Sequence, residues 1–145
     1  MEEEPLPDPN QPEIMEEAPA IEQESGEAAE EDNDDRTICR LNLQMAIHVL
    51  GIEQKLVEQK ESDTDMDEVL NKLRRARTRL GDLHMVEERF KDCIDEYRKV
   101  IEQEYPRGGK SNRLVATLHF MTGNAILYQE EPNESEAIQE YVLAI

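Results

Sequence analysis

Histidine and cysteine are the side chains of this 145-residue sequence that most often carry acid–base, nucleophilic or metal chemistry. The three histidines, His48, His84 and His119, form no short-range motif with Cys, Asp or Glu on one face of a predicted helix. The sequence contains neither a Gly-rich phosphate loop nor a Gly-x-Ser-x-Gly motif. We therefore predict no enzymatic activity, no cofactor and no metal site.

The two cysteines, Cys39 and Cys93, bear on the compartment. The N-terminus lacks the positive start and apolar core of a secretion signal, and no run approaches the roughly 18 apolar residues of a membrane span. We expect a soluble, intracellular protein without direct membrane contact, in which both thiols are free.

Carboxylates are concentrated at the start of the chain. Residues 1–35 contain fifteen Asp or Glu and no Lys or Arg, in a chain whose formal net charge is −19. Self-repulsion and a shortage of apolar side chains predict that residues 1–35 form a disordered acidic tail. Such a tail either serves only to keep the protein in solution or acts as a polyanion that imitates the phosphate backbone toward basic proteins.

A basic cluster, Lys72-Leu73-Arg74-Arg75-Ala76-Arg77-Thr78-Arg79, interrupts the acidic composition. It is either a solvated helix face or a site for nuclear import, for nucleic acid, or for docking of the chain's own acidic tail. Leu73 and Ala76 belong to an apolar stripe at helical spacing, which argues against a flexible import signal.

Apolar spacing in the remainder of the chain predicts an all-α domain over residues 36–145. The predicted helices cover about residues 37–58, 65–86, 89–104 and 111–129, and a fifth helix begins near residue 134 and continues to the end of the chain. The first helix has an apolar stripe that needs a packing partner, formed by Ile38, Leu41, Met45, Val49, Ile52 and Leu56.

A pattern of small and aromatic residues recurs along these helices. Gly81 is followed twelve residues later by Cys93 and one turn after that by Tyr97, and Gly123 is followed by Ala137 and Tyr141. This pattern is typical of tetratricopeptide (TPR) repeats, whose helical pairs stack into a solenoid. Gly81 and Gly123 are 42 residues apart, about two helical turns more than the usual period of about 34 residues, which predicts a lengthened helix.

With this long interval the sequence resembles the interrupted, SHNi-type TPR histone chaperones, the NASP-like (nuclear autoantigenic sperm protein) family. The matching residues are Leu80-Gly81, Phe90, Cys93, Tyr97, the run from Arg113 to Phe120, Gly123, and Leu43 to Ala46. The family's first repeat and the opening helix of its second have no counterpart, so we expect a partial or shortened member. The resemblance implies a TPR solenoid packed through Leu80, Gly81, Phe90, Cys93, Tyr97, Gly123, Ala137 and Tyr141.

The resemblance further implies a nuclear and also cytoplasmic histone chaperone that acts in nucleosome assembly and histone supply. Its partners would be core histones, as the histone three–histone four pair, with linker histone as an additional candidate. Apart from the resemblance, a homo-dimer that covers the exposed ends of the solenoid is a candidate assembly. The acidic tract would carry the electrostatic share of histone binding through Glu22, Glu24, Glu27, Glu30, Glu31, Asp32, Asp34 and Asp35.

Two alternatives stay open at this point. A TPR adaptor would clamp the acidic C-terminal tail of a heat-shock chaperone, which requires Lys and Asn on the first helices of successive repeats. This chain has Asp82 directly after Gly81, and only Asn124 fits in the next repeat. The other alternative is an incomplete, non-functional product.

Overall fold

The computed structural model describes residues 24–108 and 112–145, with side chains from Asp34 onward. This part of the chain is helical and contains no strand, which confirms the all-α prediction for it. The five helices are α1 (Glu24–Glu58), α2 (Met66–Val86), α3 (Phe90–Glu104), α4 (Arg113–Leu127) and α5 (Glu134–Leu143), and a short 3-10 turn covers Tyr105–Arg107.

The start of α1 corrects the predicted start of the first helix. We expected a disordered tail to residue 35 and a helix from about residue 37, whereas α1 begins at Glu24. Residues 24–35 contain no proline, in contrast to residues 1–21, and they are rich in Glu and Ala, which are good helix formers. These residues also extend a helix that is already nucleated by packing farther along, and acidic residues are favourable near a helix N-terminus. The remaining tail, residues 1–23, lies outside the described residues.

The other helix ends agree with the predicted ones to within about two residues, and side-chain caps mark the N-terminal ends of α2, α4 and α5. Asn112 Oδ1 accepts a hydrogen bond from the Leu114 amide (2.9 Å), and Asn133 Oδ1 accepts one from the Glu136 amide (3.2 Å). Asp65 caps α2 in the same way. Helix α5 ends at Leu143, two residues before the predicted end at the last residue.

Each helix packs mainly against its neighbours in sequence, so that α1 lies on α2, α2 on α3, α3 on α4, and α4 on α5. The short links between the helices make neighbours antiparallel. The buried hydrophobic cluster is shared by α3, α4 and α5 and contains Cys93, Ile94, Tyr97, Val100, Ile101, Val115, Leu118, Ala125, Ile126 and Ala137.

The contact between α2 and α3 is closest at Gly81. A Cβ atom at this position would lie 2.5 Å from Cε1 of Tyr97, a distance that atoms in contact do not reach. The Tyr97 ring is fully buried, and its hydroxyl donates a hydrogen bond to Asp82 Oδ1 at 2.7 Å. The absence of a side chain at Gly81 therefore allows the tyrosine ring to pack directly against the α2 backbone.

The same contact occurs between α4 and α5. A Cβ atom at Gly123 would lie 2.6 Å from Cε1 of Tyr141, and the Tyr141 hydroxyl donates to Asn124 Oδ1 at 2.8 Å. In both helix pairs a glycine receives the tyrosine ring, and the residue after the glycine accepts the hydroxyl hydrogen. The pairs α2–α3 and α4–α5 are thus built on one repeated contact.

Most of the predicted apolar stripe of α1 is exposed in the described part of the structure, although Leu56 is half-buried. Its members Ile38, Leu41, Met45, Val49 and Ile52 are 47 to 63 % exposed. The opposite side of the helix, with Leu43, Ile47 and Leu50, is half-buried where α1 lies on α2. Helix α1 thus has two apolar faces, and its one main neighbour covers only the second of them.

Replacement of Gly81 by alanine should destabilise the fold by about 1–3 kcal/mol, because the added methyl group overlaps a buried ring that cannot move aside. The matched control is Gly51→Ala in α1, where an added Cβ would meet nothing within 4 Å. This control should leave the free energy of unfolding unchanged or raise it by up to about 1 kcal/mol. Urea denaturation followed by circular dichroism measures both, and equal effects of the two substitutions would contradict the close contact.

Candidate functional site

The predicted histone-binding carboxylates lie at the start of α1 and before it. Glu24, Glu27, Glu30, Glu31 and Asp32 fall within the helix, and Glu22 lies outside the described residues. Asp34 and Asp35 are exposed. The acidic tract therefore does not end before the helical domain but continues into its first helix.

An ion pair just after the acidic tract holds α1 to the next helix. Arg40 Nη1 donates to both carboxylate oxygens of Glu87, at 2.9 Å each, and both side chains are largely buried. Glu87 caps the C-terminal end of α2. Because hydrogen bonds between charged groups are stronger than neutral ones, the pair attaches α1 to the end of α2 five residues after the acidic tract ends at Asp35.

The cations of the basic cluster of α2 fall into two groups, those that pair with a carboxylate and those that do not. Lys72 pairs with Glu68 (2.6 Å), and Arg77 pairs with Glu96 of α3 (2.9 Å). Arg74 Nη1 lies 3.6 Å from Oε2 of the buried Glu104. Leu73 is buried and Ala76 half-buried, as expected for members of a packed stripe.

Arg75 and Arg79 differ from the rest of the cluster, because both are exposed and neither pairs with a carboxylate of the described residues. They line a groove of about 610 Å³, together with Arg74, Thr78 and Leu114. We call this the arginine groove. It is a candidate site for an anionic group between α2 and α4.

A network of charged and polar side chains joins α3 and the 3-10 turn after it to α4 and α5. His119 is buried, with Nδ1 2.7 Å from Glu140 Oε2 and Nε2 2.8 Å from the Tyr105 hydroxyl. Glu140 also accepts a hydrogen bond from Arg98 Nη2 at 3.0 Å. The Tyr–His–Glu order occurs in acid–base sites, but the imidazole is only 5 % exposed and both ring nitrogens are occupied. The network therefore serves packing between helices.

This network could not be predicted from the sequence, because its members lie too far apart in the chain. His119 and Glu140 are 21 residues apart, and no short-range motif links them. The available signal was weak: a histidine and a glutamate occur at positions that helical spacing assigns to the inward faces of α4 and α5.

The other two histidines lie in different surroundings. His48 is exposed on α1, and His84 is buried in α2 with no hydrogen-bond partner for Nδ1 among the described residues. Burial, with a smaller contribution from Arg89, lowers the pKa of His84 below its ordinary value. No group of three His, Cys, Asp or Glu side chains in the described part could hold a metal ion.

The cysteines offer no reactive pair. Cys93 is fully buried, and burial raises the pKa of its thiol to about 12, so the thiolate is not formed near neutral pH. Cys39 is exposed on α1, and both cysteines are free. Cys93 fills the space of a small packing residue beside Tyr97 in the buried cluster.

The residues that were predicted to pack the repeats are buried or half-buried. Leu80, Gly81, Cys93, Tyr97, Gly123 and Ala137 are buried, and Phe90 and Tyr141 are half-buried against the core. In comparisons with known proteins, no family model and no curated protein matched the chain. None of the described helices combines the length and apolar character needed to cross a membrane.

Acidification should destabilise the fold through His84. The pKa of His84 is lower in the folded than in the unfolded chain. At pH values between these two pKa values, the unfolded chain therefore binds more protons than the folded chain. The free energy of unfolding should therefore fall as the pH drops below about 6.5, before most carboxylates titrate.

Urea denaturation between pH 8 and pH 5.5 measures this dependence. The variant His84→Leu should show a flatter pH profile than the unmodified chain, whereas the exposed-site control His48→Gln should keep the original slope. An unchanged slope in His84→Leu would show that another group is responsible.

Proposed function

We propose that the chain is a TPR-type histone chaperone that binds the histone three–histone four pair. The observation that carries this proposal is the continuity of the acidic tract with α1, which is itself attached to the helical array. A polyanion joined to a helical scaffold can bring carboxylates to a basic protein in a defined position, which a separate tail cannot do.

The repeated glycine–tyrosine contact supports the TPR part of the proposal. The pairs α2–α3 and α4–α5 each have a glycine on the first helix that receives a tyrosine of the second. In a TPR array, α1 would be the second helix of a preceding pair, and its exposed stripe would be the surface that meets the first helix of that pair. Exposure of this stripe also fits the alternative of an incomplete product.

The proposed mechanism is competition with DNA for basic histone surface. The carboxylates of the tract, including the exposed Asp34 and Asp35, occupy sites that DNA phosphates would take, and they prevent non-specific aggregation. The histone is released to DNA because DNA has the higher charge density. Several carboxylates can substitute for one another in such binding, so single substitutions have small effects.

The heat-shock adaptor is less well supported, because the two clamp positions already have partners. Asp82 and Asn124 each accept a hydrogen bond from a tyrosine hydroxyl, at 2.7 and 2.8 Å. Their side-chain oxygens are thus part of the helix-pair contacts. Asp82 would in addition repel a carboxylate ligand.

Neutralisation of the acidic tract should weaken histone binding by about tenfold or more near physiological salt, equivalent to at least about 1.4 kcal/mol. The test variant replaces Glu30, Glu31, Asp32, Asp34 and Asp35 by the corresponding amides. Fluorescence anisotropy with a labelled histone three–histone four pair, and separately with linker histone, measures the affinity at several salt concentrations. The tract variant should also show a weaker dependence of affinity on salt.

The matched control removes the same number of charges elsewhere on the surface. It replaces five exposed carboxylates by amides, at Glu58, Glu61, Asp63, Glu130 and Glu131. If both variants weaken binding equally, the chain acts only as a non-specific polyanion. If the unmodified chain does not bind the histone pair, the chaperone proposal fails.

A further inference from the structure

The arginine groove is unusual in a chain whose net charge is −19. Arg75 and Arg79 lie one helical turn apart on the same face of α2, and neither has a carboxylate partner in the described part of the structure. Like charges at this spacing destabilise a helix by a few tenths of a kcal/mol. Thr78 lines the same groove, and its buried hydroxyl also has no hydrogen-bond partner among the described residues.

The neighbouring cations show that carboxylates are otherwise plentiful around α2. Lys72, Arg74 and Arg77 each have an acidic partner within 4 Å. The two remaining guanidinium groups face open space between α2 and α4. A guanidinium group forms two parallel hydrogen bonds to a carboxylate, so the groove suits a peptide with several acidic side chains.

The chain contains such a peptide in residues 1–23, outside the described residues. This segment has eight Asp or Glu and no Lys or Arg. We infer that residues 1–23 dock in the arginine groove, where their carboxylates pair with Arg75 and Arg79. Apolar residues of the same segment, such as Leu6 and Ile14, match Leu114, the apolar member of the groove lining.

The segment is long enough to reach the groove. Along the helix axis, Glu24 lies about 24 Å beyond the Arg40–Glu87 pair, and Arg79 lies about 12 Å from that pair in the other direction. An extended segment of 23 residues spans about 75 Å, roughly twice the sum of these distances. Because the segment belongs to the same chain, its effective concentration at the groove is in the millimolar range.

The inference does not depend on the proposed function, because it concerns two parts of the same chain. Docking has a consequence for any basic partner of residues 1–23. Such a partner must compete with Arg75 and Arg79 for the carboxylates, so docking would weaken its binding and make weakly basic proteins poor ligands.

A nitroxide spin label within residues 1–23 tests this inference on the full chain. The labelled variant carries Ala18→Cys for attachment, which leaves Leu6 and Ile14 in place, and Cys39→Ser to remove the exposed thiol; Cys93 is buried. At low salt we expect paramagnetic broadening of the backbone amide signals of residues 75–79 and Leu114. The broadening should be lost when Arg75→Glu and Arg79→Glu are added, with circular dichroism to verify that this variant is folded.

The control is a double charge reversal at exposed lysines of other helices, Lys55→Glu and Lys91→Glu, which should leave the broadening in place. Broadening at other residues only, or broadening that survives reversal of Arg75 and Arg79, would overturn the inference. A mixture of isotope-labelled chain with spin-labelled, isotope-free chain separates docking within one chain from docking between two. Broadening of the same size in that mixture would also overturn it.

Discussion

The packing of the helical array depends on the close approach of helix backbones at two glycines. At Gly81 and Gly123 the space of a side chain is taken by a tyrosine ring from the following helix. The hydroxyl of each tyrosine must then find a partner at the edge of the contact, and the residue after the glycine provides it. Because these contacts set the distance between the helices, the small residues Cys93 and Ala137 can be completely enclosed beside them.

Electrostatics imposes the second constraint on a chain with so many carboxylates. Those that enter the interior are paired with cations: Glu104 lies against Arg74 and Arg107, and Glu140 contacts Arg98. A buried carboxylate without such a partner would be strongly destabilising. Other carboxylates remain at the surface, among them Asp34 and Asp35 near the start of α1. The same division leaves Arg75 and Arg79 as two cations without a carboxylate partner among the described residues.

Much of the fold could be predicted from spacing alone. The helices α2 to α5 follow from apolar periodicity, which is a local feature of the sequence. The contact of Gly81 with Tyr97 could be expected because a glycine in an apolar helical run usually marks the approach of another backbone. The start of α1 could not, because charge density argues for disorder, while packing of the later part of α1 allows the helix to extend backward.

The remaining features depend on which elements meet in space, and a periodic pattern does not contain this information. Helix α1 has two apolar faces, and periodicity alone did not show that the face with Leu43 and Ile47 is the one that lies on α2. The partner of His119 comes from a helix 21 residues farther along. Likewise, the division of the basic cluster into paired and unpaired cations depends on Glu96 and Glu104 of α3, which only the folded chain brings to α2.

The most direct test of the repeated glycine–tyrosine contact is a double-mutant cycle for the free energy of unfolding, with Gly81→Ala and Tyr97→Leu as the single variants. Leucine removes the ring atoms that a Cβ at Gly81 would overlap. The double variant should therefore be less destabilised than the sum of the single effects, with a coupling energy of about 0.5–3 kcal/mol. Additive effects would contradict the account, since they would show that the glycine and the tyrosine ring do not share one contact.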